Sequence, residues 1–463
     1  MRQHIRRSRH RFFNTTIWKT RLIFWGGAIL VGIVAAIFAL LGEKGDHFYR
    51  DLYAVYPWLS FIITPAGLML IVWMTRKFFA GAEGSGIPQT LIAIEGRGGR
   101  ALADQLLSFR IAIGKVLLTV MGLFSGASIG REGPTVHLGA AIMYSLGRYV
   151  HLPARYLERG LIMTGGGAGI AAAFNTPLAG IVFAIEEMAR SFDRRNSSMI
   201  LIGVILAGMT AIYVHQDNYN YYGTSPVDID FSWVWLGVVV CGVVGGLLGG
   251  TFSYVLINGS RMLRPLVQRH YLLVAAACGL IIALIGVLSD GLAFGTGYIE
   301  AKQIVSCTGS DSCVVETGLM YPVYKILATV ASYLSGIPGG IFAPSLASGA
   351  GLGSDLAALF PAELASTIVI LGMVGYFSGV VQTPITAFVI VMEMTDNQDL
   401  VLALMATSMI ATGASKLICK KPIYFALAEN FMTARLLAQK AAATEEKTRA
   451  ESNKFPEDPG TRF

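Results

Sequence analysis

The sequence predicts an all-α polytopic membrane protein made of two inverted-topology halves of tilted, often broken helices. Three observations carry this. Of 463 residues, 54% are hydrophobic and only 14% charged, with mean hydropathy +0.58, whereas soluble domains carry roughly 25% charged residues. Apolar runs near 22–41, 59–76, 107–124, 160–185, 198–213, 232–257, 271–289, 317–335, 366–393 and 400–418 approach the length of a bilayer span. Several are short or interrupted, at Gly84 to Pro88, Gly165 to Gly169, Pro177, Pro338 and Pro384, and broken helices at membrane depth persist only where they are buried or line a cavity. The third observation is an internal repeat.

Taken in order, residues 1–24 form a basic segment carrying Arg2, Arg6, Arg7, Arg9, Arg11, Lys19 and Arg21. The positive-inside rule puts this end in the cytoplasm. A cleaved signal peptide is not expected, because its apolar core would be shorter and followed by a small-residue cleavage site. Residues 25–215 and 216–425 are the two membrane halves. Lys420 and Lys421 close the last apolar run, and 426–463 form a charged tail, again expected inside. The number of crossings is then even. The net charge of +7 sits mostly in these loops and tails, so nucleic acid is not an expected partner and the lipid bilayer is. Five cysteines give no metal spacing, and no cofactor is called for. Cys241, Cys278 and Cys419 lie in apolar runs and read as packing residues. Cys307 and Cys313 share a polar loop, and are either a disulfide, if that loop is extracytoplasmic, or two free thiols.

The repeat has three landmarks. Glu83-Gly84-Ser85-Gly86-Ile87 is echoed by Phe294-Gly295-Thr296-Gly297-Tyr298, and Gly84 and Gly295 stand 211 residues apart. Ile129 to Thr135 matches Gly339 to Ser345, with Pro134 and Pro344 210 residues apart. Asn175-Thr176-Pro177-Leu178 recurs as Gln382-Thr383-Pro384-Ile385, 207 residues on, which sets Glu186 opposite Glu393. An odd number of crossings in each half would invert one half against the other and keep both termini on one side. The helix start after Gly133 and the one after Ala343 would then meet from opposite faces, and their dipoles would favour an anion between them.

The stretch Ser125 to Gly139 sets Arg131 and Glu132 among Gly130, Gly133 and other glycines within a long apolar region. Charges there are costly and usually functional. Pro134 at the beginning of a helix leaves backbone N–H groups free to hold an anion. A carboxylate beside such a site occupies it when ionised and frees it when protonated, so the stretch reads as a proton-responsive gate. Ser85, between Gly84 and Gly86, offers a hydroxyl to an anion without a full charge, or caps the following helix, and the two roles are compatible. Glu186 and Glu187 end an apolar run; as helical neighbours they face directions about 100° apart, so one can meet water or Arg190 while the other carries a proton inside. Lys115 is either paired structurally or raises the local potential for anions, and Glu393 either contacts a backbone amide or a basic residue. The structural role is favoured for both. Gly126-Ala127-Ser128-Ile129-Gly130 fits the G-x-S-x-G pattern of hydrolases, yet no strand is indicated before it; an enzyme is not expected.

Gly84-Ser85-Gly86-Ile87-Pro88, Gly130 to Pro134, Gly340 to Pro344 and the late Tyr424 stand in an order that resembles the CLC chloride channels and transporters, particularly the bacterial chloride/proton exchangers, from about residue 25 to 425. The resemblance implies the CLC fold, and a homodimer with one pathway per subunit, in a bacterial inner membrane, moving chloride and protons. It implies that Ser85 and Tyr424 donate hydroxyls to the central anion and that the N–H groups of Ile341 and Phe342 contribute from the second half. It further implies that Glu132 is the external gate and Glu187 the inner proton-transfer residue; channel members commonly carry another residue there, which tilts the expectation from channel to exchanger. Ser85 matches chloride-type rather than nitrate-type members. Two departures stand out. Leu91 replaces an acid of similar exchangers, which puts the pairing of Arg131 in question, and the 39 residues after Tyr424 are too few for paired regulatory domains.

Overall fold

The computed structural model describes residues 15–96, 98–149, 155–189, 197–215, 222–223, 231–307 and 318–452. Their regular structure is helical: α1 (Thr15–Val55), α2 (Ser60–Phe78), α3 (Ile87–Glu95), α4 (Gly99–Leu106), α5 (Phe109–Phe124), α6 (Glu132–Tyr149), α7 (Arg155–Phe174), α8 (Pro177–Phe183), α9 (Ser197–His215), α10 (Phe231–Leu288), α11 (Tyr298–Cys307), α12 (Tyr321–Leu334), α13 (Phe342–Ala357), α14 (Ala365–Val381), α15 (Pro384–Thr395), α16 (Val401–Ile418) and α17 (Ile423–Ser452). Six helical stretches among them are long and apolar enough to cross a bilayer, and large apolar side chains such as Leu284, Leu402 and Met409 point outward. This is an integral membrane protein.

The sequence repeat becomes a structural one. Helices α3, α5, α6, α7, α8 and α9 find counterparts in α11, α12, α13, α14, α15 and α16. Proline occupies the first turn of α3, α8, α12 and α15, where its missing N–H costs nothing. Glycines let the paired helices approach: a Cβ on Gly139 would lie 2.2 Å from the Gly165 carbonyl across α6 and α7, and one on Gly353 2.6 Å from the Val369 carbonyl across α13 and α14.

Several sequence boundaries move. The run at 160–185 divides into α7 and α8, and that at 366–393 into α14 and α15, each at its Thr-Pro step. The runs at 232–257 and 271–289 join into α10, whose polar middle remains helical up to a kink at His270 (φ −134°, ψ 49°). The limits at 24/25 and 425/426 fall inside α1 and α17. Cys241, Cys278 and Cys419 are buried free thiols, as expected; the Cys307–Cys313 pairing lies outside the described residues.

Charged side chains within the membrane region obey the same symmetry. Lys115 Nζ donates to the carbonyls of Ala82, Glu83 and Gly84 at 2.6, 3.3 and 3.0 Å. Lys325, 210 residues later, donates to those of Ala293, Phe294 and Gly295 at 3.1, 2.9 and 2.9 Å. Each ammonium thus ties down the broken backbone ahead of α3 or α11. The carboxylates exchange between halves. Glu186 accepts from the N–H groups of Ile385 (3.2 Å) and Thr386 (2.6 Å) at the start of α15, and Glu393 from those of Leu178 (3.2 Å) and Ala179 (2.7 Å) at the start of α8. Each neutralises the positive end of a helix in the other half. On another part of the surface of contact between halves, Arg50 of α1 donates to Asp46, Glu300 and the Phe294 carbonyl.

Replacing Lys325 by Met would leave three carbonyls of a broken loop short of a donor, at a cost of about 3 kcal/mol. Lys325→Met and Lys115→Met are each expected to melt several degrees below the parent in detergent. A melting temperature unchanged in both would contradict the tethering role.

Candidate anion-binding site

Four helix starts meet at the centre of the chain: α3 after Gly84-Ser85-Gly86, α6 at Glu132, α13 at Phe342, and α17, whose second residue is Tyr424. The crossing backbones are stitched together directly. Gly130 N–H donates to the Gly340 carbonyl (2.7 Å) and Gly340 N–H to that of Gly130 (2.6 Å), an antiparallel exchange that runs across the two halves. Gly84 lies beside Pro338 in parallel, donating to the Ile337 carbonyl at 3.3 Å.

This crowding explains the glycines. Gly84 and Gly86 adopt φ of +68° and +102°, a region costly for residues with a Cβ. A Cβ on Gly133 would fall 2.1 Å from Ser85 Oγ, and one on Gly130 2.2 Å from Glu132 Oε2. The side chains of the site occupy the space that these residues leave open.

Glu132 is buried at the first position of α6, and its Oε2 accepts the Ala343 N–H of α13 at 3.4 Å. The carboxylate therefore bridges both inverted halves. Ile341 caps α13 and Phe342 opens it. The Phe342 ring is held by Phe377 (centroids 5.0 Å apart), Phe174 and Phe183 (6.2 Å each) and Tyr424 (5.5 Å). Tyr424 is thereby fixed against the start of α13, with its hydroxyl turned toward Ser85 and in electrostatic reach of Glu132 and Glu187. Ser85 Oγ and Tyr424 OH are both buried, lie toward one another and find no other hydrogen-bond partner among the described residues. The buried hydroxyls of Thr119, Thr176, Tyr321, Ser345 and Thr407 also find no partner among the described residues; what singles out Ser85 and Tyr424 is their place at the helix starts around Glu132.

Glu187 is buried too, in a π turn, Ala184–Ala189, that continues α8. Such turns recur at functional sites. The two adjacent acids divide as their helical separation demands: Glu186 turns to the amides of α15 and Glu187 inward. Arg131 donates to the Ala39 carbonyl of α1 and lines a cavity of about 20 Å³ with Asp46, His47 and Thr296. Leu91 lies in the apolar core of α3. Lys115 stands behind the Ser85 loop and serves its backbone.

A second cavity, about 530 Å³, leads to Ser85 from one face of the molecule, past Glu83, Arg76, Arg264, Tyr333 and Asn430. The sequence reading passed over Lys325, Glu83 and the capping role of Glu186. The first and last were available from the repeat, since Lys115 and Lys325 share its 210-residue spacing and Glu186 and Glu393 its 207-residue spacing. Ser128 donates its N–H to Ser332 Oγ and shares a hydroxyl contact with Thr329, both at 3.0 Å, while His137 Nε2 engages the Leu106 carbonyl at 2.9 Å. No strand precedes Ser128 among the described residues, and its hydroxyl meets Thr329 while His137 meets a backbone carbonyl.

Fold and site together define a membrane protein of inverted halves that builds one buried polar seat from helix starts and places a carboxylate in it. The chain belongs to the voltage gated chloride channel family, whose profile matches residues 67–416. It is similar to the H(+)/Cl(-) exchange transporter ClcA of Citrobacter koseri, 30% identical over 453 residues that cover 92% of this chain and 91% of the relative. The ClcA of Salmonella typhimurium is 29% identical over 462 residues, covering 93% and 92%. Among solved structures, that of a slow cyanobacterial Cl−/H+ antiporter matches with a TM-score of 0.75 at 25% identity, over 89% of this chain and 98% of that one. A CLC-type fluoride/proton antiporter shares the fold, with a TM-score of 0.73 at 23% identity over 89% and 98%.

An active-site serine probe such as a fluorophosphonate is expected to leave Ser128 unmodified in folded protein. Specific labelling there would revive a hydrolase.

Proposed function

We propose that the protein exchanges chloride, and similar monovalent anions, for protons across a membrane, with Glu132 as the outer gate and Glu187 as the inner proton-transfer group. The observation that carries this reading is the pair of neighbouring buried hydroxyls, Ser85 Oγ and Tyr424 OH, with no partner beyond each other among the described residues, beside helix starts of both halves and the bridging Glu132 carboxylate. Hydroxyl and amide donors hold a monovalent anion without a fixed countercharge, which favours release as well as binding.

In the proposed cycle, ionised Glu132 sits at the start of α13 and blocks the anion path. Chloride displaces it. The freed side chain takes a proton from outside, and the proton continues toward Glu187, which lies with Glu132 in reach of Tyr424. Return of the ionised carboxylate expels the anion, so the two ions move in opposite directions. Binding of chloride rests on Ser85, Tyr424 and the N–H groups of Ile341 and Phe342. Gly84, Gly86, Gly130 and Gly133 give the backbone its close approach, and Lys115 and Arg131 hold the surrounding loops. No cofactor enters the cycle.

The orientation follows from charge. Arg76 and Arg264 line the 530 Å³ cavity, Arg261 bonds Asn430 beside it, and basic residues concentrate on cytoplasmic faces. We therefore place this cavity and both termini in the cytoplasm, with the protein in a bacterial inner membrane as a homodimer having one pathway per subunit.

Glu132→Gln is expected to give passive anion flux with proton movement reduced by at least about tenfold, a barrier change near 1.4 kcal/mol. Uphill proton pumping retained by that mutant in liposomes would rule out the gate. Glu187→Gln is expected to keep chloride transport and lose its tie to protons, as read by simultaneous chloride and pH electrodes. If coupling persists, Glu187 is not the inner acceptor. The channel alternative is separated by the reversal potential, which for an exchanger shifts with pH as well as with the chloride gradient.

A further inference from the structure

Glu83 stands immediately before Gly84-Ser85-Gly86 in the wall of the cavity that reaches Ser85. An acid is unexpected on the approach of an anion. Its surroundings give it a purpose. Arg76 is held by the Val267 carbonyl at 2.7 Å and by the Tyr271 ring at 4.3 Å, and Arg264 by the Asn430 carbonyl at 3.0 Å. Among the described residues neither guanidinium makes an ion pair, so both leave full positive charge in the cavity. A mouth with only these charges would concentrate anions and slow their departure. Glu83 is the opposing charge. Its carboxylate is fixed by the Gly81 N–H at 2.9 Å, while Gln89 Nε2 donates to its backbone carbonyl at 2.7 Å and Lys115 to the same carbonyl from behind. Arg76, Lys115 and Tyr333 lie in electrostatic reach of it, and Arg264 faces it in the wall of the same cavity.

We propose that Glu83 is a release-setting residue of the anion path: a carboxylate fixed at the neck of the cavity, which offsets Arg76 and Arg264 and keeps anion affinity on that face low enough for discharge. The proposal rests on the anion path through Ser85. It acts by field rather than by contact with a proton-carrying group, so it predicts an effect confined to one face and weakened by salt.

The test measures chloride-dependent proton transport in sided vesicles, with chloride varied on the cavity face or on the opposite face, for the parent, Glu83→Gln, Glu83→Asp, Arg264→Gln and Ser85→Ala. Glu83→Gln keeps an oxygen for the Gly81 N–H. It is expected to lower half-saturating chloride on the cavity face by about threefold to tenfold and to leave the opposite face unchanged. The shift should fade as ionic strength rises from about 0.05 to 0.5 M with an impermeant salt. Glu83→Asp should resemble the parent, and Arg264→Gln should shift half-saturation upward. An equal shift on both faces, a shift indifferent to salt, or no shift overturns the proposal. Ser85→Ala separates the two levels: an effect on both faces with Glu83→Gln silent removes only the charge proposal, whereas silence of Ser85→Ala removes the path itself.

Discussion

The structure depends on bringing backbone N–H groups from two oppositely inserted half-structures to one point inside a bilayer. Helix starts carry partial positive charge and unpaired donors, and in hydrocarbon these cannot be left to water. Here they face one another across Gly130 and Gly340, whose mutual hydrogen bonds of 2.7 and 2.6 Å hold the two backbones in contact. Glu132 meets the donors of the opposite half. The proposed gate rests on interchange: a carboxylate that satisfies these donors could give way to a halide that satisfies them equally.

The same problem is solved more permanently elsewhere. Lys115 and Lys325 each gather three carbonyls of a broken loop, and Glu186 and Glu393 each cap a helix across the pseudo-twofold axis. These four are structural uses of charge inside the fold or at its edge, and their pairing by symmetry is what identifies them. Glu132, Glu187 and Glu83 fall outside that pattern. Glu132 has Phe342 opposite it, 210 residues on, and Glu187 has Met394 opposite it, 207 residues on. Charge present in one half and missing from the other marks where the two halves differ in work.

Much of the architecture was legible in the chain. Thr176-Pro177 and Thr383-Pro384 announced α8 and α15, and the repeated stretches ending in Pro134 and Pro344 announced the meeting of α6 with α13, because glycine and proline act locally on backbone conformation. Other features depend on distant contacts. The polar middle of α10, around Arg261 to Arg269, reads as a gap between spans, yet it stays helical while Arg261 and Arg264 bond Asn430 of α17. The division of labour between Glu186 and Glu187 required the amides of α15, and the bond of Arg131 to a carbonyl of α1 required a helix about ninety residues away in the chain. Tyr424 could be connected to Ser85 only through the family resemblance, since 339 residues separate them.

The central claim is that one halide and the Glu132 carboxylate compete for a seat built from both halves. Anomalous scattering from bromide in crystals of the parent and of Glu132→Gln tests it directly. The account predicts bromide between Ser85 Oγ, Tyr424 OH and the N–H groups of Ile341 and Phe342 in both, with a further peak at the Ala343 N–H only where the carboxylate has been neutralised. Bromide absent from this region, or the same peaks in both proteins, would contradict it.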